Sequence, residues 1–435
     1  MLKPIVAFRV ENCQYRLSYG IYSLSVAYGK PTLHMQQVPL RAELIRRISG
    51  KGMVTFAEFM DLALYWPNGG YYVSRSTSVG DYFTSPMAHP VFGALIALQL
   101  EEMWHRLDCP RPFAVIEQGA GSTQLARDVE SYASHLDPSF ANSLLYVAVD
   151  RSFNSSDDVV NRILTDRLPF QRVTGCVLSN ELIDAMPVHR VVVEQGQLYE
   201  VFVEYKDGNF SEVLADPSVG AIEERLTDEG IILKEGQRAE VCLALESWIQ
   251  QVSQVLDRGF VLSVDYGHVA EDLYAASRNR GTLRCYYMHT LSANPYVRVG
   301  EQDITAHVDF TALSELGKRS GLSGQTLVTQ RAFLQNLGIR EFQRRLINSE
   351  LGQNERDANR MAMLELARSG GLGDFKVLVQ SKNIDTAALT GLSEASLGWK
   401  ERLMTLPLPR LGSDHLSLLN ARYPHSYHDY QQEQI

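Results

Sequence analysis

Four short apolar runs, separated by helical segments, limit how this 435-residue chain can fold more than any other feature. Residues 113–117, 144–150, 175–179 and 260–265 are nearly continuous in apolar side chains. That is the pattern of strands buried on both faces. Helical spacing fills the gaps over 124–136, near 155–164 and over about 238–257. Strand-helix alternation of this kind predicts an α/β fold, a parallel sheet with helices on both faces. Between the third and fourth runs, residues 188–193, 198–205 and 210–214 alternate apolar and polar instead. Gln195-Gly196 and Asp207-Gly208 punctuate them, which predicts hairpins and hence an antiparallel β insertion.

The flanks are legible at lower resolution. Leu40, Leu44, Ile45 and Ile48, then Phe56, Phe59, Met60 and Leu62, recur at helical spacing and predict an N-terminal helical segment. Gly50 and Gly52 divide it, and Thr55 with Glu58 has the form of a capping box for its second helix. Asn68 to Pro86 reads as loop, and 90–107 as helix. After Asp309 the expectation is a helix, a strand near 325–330, another helix and a final strand over 375–379. Residues 1–38 are expected to be an extension, 39–382 one domain with its insertion at about 188–236, and 383–435 a peripheral tail.

Composition removes several function classes. At 45% hydrophobic the chain has enough apolar content to bury a core, which excludes a disordered protein. No run approaches the ~18 apolar residues of a membrane-spanning helix. A net charge of −10 argues against nucleic acid as a partner. The five cysteines are scattered, with no CxxC or HExxH spacing, so no metal site is expected. Residues 1–34 hold Lys3, Arg9, Arg16 and Lys30 against the single acid Glu11. A mitochondrial leader has that balance. The preferred reading is translation from Met35 and a cytoplasmic protein, because helical patterning begins just after that residue.

Three strand ends carry candidate chemistry. Glu117-Gln118-Gly119-Ala120-Gly121 closes the first, and its glycines let backbone approach a ligand. A dinucleotide fingerprint would need glycine at 124, where the chain has Gln124. The acid before the glycines instead suits S-adenosylmethionine, whose ammonium a carboxylate can meet. A plain strand-to-helix turn is the competing reading. Asp150 closes the second strand, as a ribose ligand or as an ordinary helix cap. Asn180-Glu181-Leu182-Ile183-Asp184 closes the third. Its two carboxylates could orient a guanidinium, or the stretch could be a capped helix start. Asp265-Tyr266-Gly267 ends the fourth in a similar way.

Taken in order, several stretches resemble the MidA-like family of S-adenosylmethionine-dependent methyltransferases. They are Gly80-Asp81-Tyr82-Phe83-Thr84-Ser85-Pro86, the Glu117 to Gly121 loop, Ser179 to Arg190, Asp265-Tyr266-Gly267, Gly281 to Tyr286 and Gln302 to Phe310. The match spans roughly residues 40–380. The resemblance implies a class I methyltransferase (Rossmann-like) fold with S-adenosylmethionine as cofactor. It implies cofactor-binding roles for Glu117, Gly119, Gly121, Asp150, Asp81, Ser85 and Pro86, and catalytic roles for Asn180, Glu181 and Asp184. The mitochondrial members methylate protein arginines and assist respiratory complex I assembly, so a protein substrate, such as a respiratory complex subunit, is the implied partner. A non-catalytic assembly factor that merely holds the cofactor is the alternative. Thr123 departs from the family, whose loops often have another glycine there.

Overall fold

The computed structural model describes residues 6–10, 13–17, 38–74, 84–153, 160–288, 290–385, 389–412 and 415. Seven strands form the central sheet. In chain order they are β1 (Phe113–Gln118), β2 (Leu144–Asp150), β3 (Asn161–Leu164), β4 (Val173–Asn180), β5 (Leu256–Asp265), β6 (Ser323–Thr329) and β7 (Lys376–Lys382). Their spatial order is β6-β7-β5-β4-β1-β2-β3. All run parallel except β7, which lies antiparallel to both neighbours. The order reverses between β1 and β4, and their carboxyl ends flank the crevice where open α/β sheets bind ligands.

The period of two along each strand divides the core. Phe113, Val115, Tyr146, Cys176, Leu178, Phe260 and Val379 pack with helices Val91–Arg106, Gln124–Ala133 and Ile339–Ile347. Ala114, Ile116, Val147, Val149, Val177, Val261 and Leu378 face helices Ala244–Val255 and Phe310–Arg319. The expected helices on both faces are therefore present.

Several elements differ from expectation. Of the helix expected near 155–164, residues 155–159 lie outside the described residues, and the described part holds β3, an edge strand with exposed ends and a half-buried middle. The expected helix over 238–257 begins at Ala244, because Arg238–Val241 pairs with His189–Glu194 in the insertion. Thr55 caps helix Phe56–Tyr65 through the Glu58 N–H, but the box is half made. The Glu58 carboxylate pairs with Arg47 and Lys51 instead, each at 2.9 Å. Strand direction is invisible to hydrophobic spacing, so the reversed β7 was not readable.

The insertion is a sheet of strands Asn209–Ala215, Gln197–Lys206, His189–Glu194 and Arg238–Val241, with Val54–Thr55 pairing to Gln197–Lys206. Leu44, Phe56, Phe59 and Met60 pack with Val203, Phe210, Cys285 and Ile304 in one core. The N-terminal helices and the insertion thus form a single body, set beside the carboxyl ends of the sheet. Residues 389–412 also depart from the expected peripheral tail. Leu389, Leu403 and Leu406 are buried in the central core.

Candidate functional site

The loop after β1 is a tight left-handed turn. Gly119 and Gly121 have φ of +77° and +47°, where side chains are disfavoured. A Cβ on Gly119 would lie 2.8 Å from Leu182 Cδ1, whereas one on Gly121 would meet open space. The Gly121 N–H donates to Asp150 Oδ2 at 2.8 Å, and Asp150 Oδ1 accepts from the Ser152 N–H at 3.1 Å. Asp150 therefore ties the glycine loop to the end of β2. Burial nonetheless raises its pKa. Glu117 is 3% exposed and accepts the Tyr146 hydroxyl at 2.9 Å. Burial pushes its carboxyl up to about 8, against the lowering effect of that hydrogen bond.

The next turn carries the carboxylates. Glu181 follows β4 with φ of +51°, a strained conformation for a non-glycine residue of the kind that clusters at functional sites. Its Oε1 accepts from the Asn180 side-chain amide at 3.2 Å and the Ser85 N–H at 3.3 Å. Asp184 Oδ2 accepts the Tyr266 hydroxyl at 2.6 Å. Burial lifts Asp184 to about 6 and, together with neighbouring Asp184, lifts Glu181 to about 8. Asp265 ends β5 and braces this turn: Oδ2 accepts the N–H groups of Ile183 and Asp184, and Oδ1 that of Tyr266. Its pKa is also well raised, first by burial and then by Asp184 and Glu181.

The structure brings Ser85 to Glu181, and the Ser85 hydroxyl meets Gln330 Oε1 at 3.1 Å. Pro86 is buried in the first turn of the short helix Ser85–Ala88. Asp81 lies outside the described residues. From the N-terminal side Tyr65 donates to the Ala185 carbonyl at 2.8 Å, and Tyr72 to Asp303 Oδ1 at 2.9 Å. The Tyr72 carbonyl accepts the Ser152 hydroxyl at 2.8 Å, beside Asp150. Sequence reasoning did not find Tyr65, Tyr72 or Ser152, because a tyrosine on a helix face or loop has no local signature. His307 stacks on His268 with ring centroids 5.3 Å apart, and burial lowers its pKa to about 3. It is a neutral ring against Tyr266. His189 is bound to Glu200 within the insertion.

Acceptor oxygens dominate the crevice. Asn180 Oδ1 and Asp184 Oδ1 are buried and receive no hydrogen bond from the described residues. Buried polar atoms are normally satisfied, so such oxygens mark a place for a ligand donor. On the cofactor side, the open space over Gly121 and the buried Glu117 carboxyl that precedes the loop fit S-adenosylmethionine, whose ammonium a carboxylate can meet. Among the described residues no group of three or more His, Cys, Asp or Glu could hold a metal.

Comparison with known proteins agrees with this geometry. A family model described as "Putative S-adenosyl-L-methionine-dependent methyltransferase" matches residues 95–328, more than half of the chain. The protein arginine methyltransferase NDUFAF7 of Mus musculus, named as mitochondrial, is 28% identical over 72% of this chain and 77% of its own length. The Drosophila melanogaster homologue, also named as mitochondrial, is 26% identical over 65% of this chain and 70% of its own. A crystal structure from Burkholderia thailandensis bound to S-adenosyl-homocysteine has a TM-score of 0.72 at 28% identity, covering 82% of this chain and 95% of that one. The sheet order, the glycine loop at its switch point and the family match agree, and the chain belongs to this family of S-adenosyl-L-methionine-dependent methyltransferases.

Proposed function

We propose that the chain methylates an arginine side chain of a protein partner, with Glu117, Gly119, Gly121 and Asp150 holding the cofactor and Asn180, Glu181 and Asp184 holding the acceptor. The observation that carries this reading is the pair of unpartnered buried oxygens, Asn180 Oδ1 and Asp184 Oδ1. A guanidinium presents several N–H donors in a plane and suits such acceptors. S-adenosylmethionine supplies an electrophilic methyl group on sulfur. The chain's own contribution is alignment and electrostatics: the Asp265-braced turn fixes the carboxylates, and Ser85 and Asn180 orient Glu181. A carboxylate of this turn receives the proton that the methylated nitrogen gives up.

Residues 39–382 act as one methyltransferase unit in this reading, with the Ser85 N–H set against Glu181. The relatives' names support an arginine acceptor and a mitochondrial location over the expected cytoplasmic one. The family resemblance points further, to a respiratory-complex subunit as acceptor.

Calorimetric titration with S-adenosylmethionine, with NAD as control, tests the cofactor site. Saturable binding is expected for the wild type and not for Gly121→Arg, which fills the open space over the loop. Labelled S-adenosylmethionine incubated with extract from cells lacking the chain tests the acceptor. Methylarginine in the hydrolysed protein, lost with Asp184→Asn, is the expected result. Cofactor binding without transfer to protein would instead favour a non-catalytic assembly factor.

A further inference from the structure

The carboxyl group of Asp184 is used unevenly. Oδ2 accepts the Tyr266 hydroxyl at 2.6 Å, while Oδ1 is buried without a partner. The Tyr266 ring is fixed on two sides, edge-on to His307 at 5.4 Å and tilted against Phe375 at 5.3 Å. Its backbone N–H is held by Asp265 Oδ1, and Asp265 Oδ2 accepts the Asp184 N–H at 3.3 Å. One residue at the end of β5 thus fixes both partners of the Tyr266–Asp184 contact. The position of that contact owes nothing to chain proximity, since the two residues are 82 apart.

We infer that Tyr266 is a positioning residue: its hydroxyl engages one oxygen of Asp184 and leaves the other as the atom that meets the acceptor nitrogen. This rests on the reading of Asp184 as an acceptor-binding carboxylate. Tyr266 has a second consequence. Glu181, Asp265 and the Tyr65 hydroxyl also face Asp184, and two of these are carboxyl groups that disfavour a further negative charge. The tyrosine hydroxyl is the largest of the hydrogen bonds that oppose burial and favour the ionised form, ahead of the backbone N–H groups of Ala185 and Asp184. A tyrosine can do this without charge of its own, because burial and Asp184 hold its own pKa far above the ordinary value. A tyrosine serving only to fill space would be replaceable by phenylalanine without any change in how Asp184 titrates.

The test is Tyr266→Phe in the full chain loaded with S-adenosyl-homocysteine. Carbon-13 carboxyl labelling of aspartate follows Asp184 by NMR, with its signal assigned by loss in Asp184→Asn. The expected result is a titration moved up by about one pH unit, the effect of a lost hydrogen bond to the charged form. Methyl transfer into extract protein should show its acid limb moved up by the same amount, with cofactor affinity within twofold of wild type. Unchanged Asp184 titration in a folded Tyr266→Phe protein would overturn the inference. If Asp184→Asn transferred methyl groups as well as wild type, the role of Asp184 itself would fail, a result distinct from an unmoved titration. Should Tyr266→Phe lose its thermal transition, Phe375→Leu serves as a second variant: it loosens the ring while keeping the hydroxyl, and a smaller upward movement is expected. No movement there in a folded protein would count against the inference.

Discussion

Glu117 shows how one residue can be legible in type and hidden in state. Its place before the glycine loop was plain in the chain; its burial against Tyr146 on the next strand was not, since that contact depends on sheet pairing. The ordinary pKa of such a carboxyl is 4.5, and in the fold it rises to about 8. Between those values the folded protein binds the proton that the unfolded chain has released. Its contribution therefore weakens stability as pH climbs from about 4.5 to about 8. Glu117→Gln removes this dependence. The gap in unfolding free energy between variant and wild type should widen in the variant's favour as pH rises, by at most about 1.4 kcal/mol per pH unit. Denaturant melts at pH 6 and pH 8 read it, and a constant gap would reject it. The same proton bears on the proposed cofactor role. An ammonium beside Glu117 favours ionisation, so binding at pH 7 should release a proton. Calorimetry in Tris and phosphate would then give different apparent enthalpies for the wild type and equal ones for Glu117→Gln.

At the scale of elements, the helix after the loop begins at an unusual residue. Thr123 stands where family loops often have glycine, and it adopts φ of +60°, the left-handed conformation that β-branched side chains resist. Local bonds hold it there: its N–H donates to the Ala120 carbonyl at 2.7 Å, and its hydroxyl accepts from Arg127 at 3.1 Å. The departure noted in the sequence thus changes the residue at the helix entry and leaves the left-handed turn in place. Thr123→Gly relieves strain of about 1–2 kcal/mol and adds about 0.5–1 kcal/mol of chain entropy cost, besides losing the Arg127 contact. The expected outcome is a protein within about 1 kcal/mol of wild type, far milder than for most buried side chains deleted to glycine. Equilibrium unfolding of both proteins checks it. Strand ends and the loop were readable because each sits within a few residues of chain. The Asp265 brace on the Asp184 turn was not, because it joins β5 to the segment after β4 across the sheet.

Over the whole molecule, periodicity gave the α/β class but not the packing of the last described segment. Residues 383–435 have no clear apolar period, which suggested a peripheral tail. Residues 389–412, its main described part, instead pack through single anchors joined by polar ties. Leu403, on helix Leu397–Thr405, is fully buried beside Gly338, where a Cβ would approach it to within 2.1 Å. Trp399 donates to the Leu337 carbonyl at 2.9 Å, Arg345 to the Leu403 carbonyl at 2.6 Å, and Arg402 pairs with buried Glu101 at 2.5 Å. Farther on, the Leu411 N–H donates to Asn359 Oδ1 at 2.9 Å. One buried leucine per two turns is too sparse to register as an amphipathic pattern, yet it closes the sheet face that Phe113 and Phe260 line. A peripheral tail would tolerate truncation of that leucine. A core element would lose about 2–5 kcal/mol with Leu403→Ala, the range for a large buried side chain cut to alanine. The anchor packs in the central core, a cluster separate from the one that Tyr65, Tyr72 and the insertion share. Leu403→Ala should therefore lower the denaturation midpoint while the folded fraction binds S-adenosylmethionine with wild-type affinity. An unchanged midpoint would return the segment to the periphery.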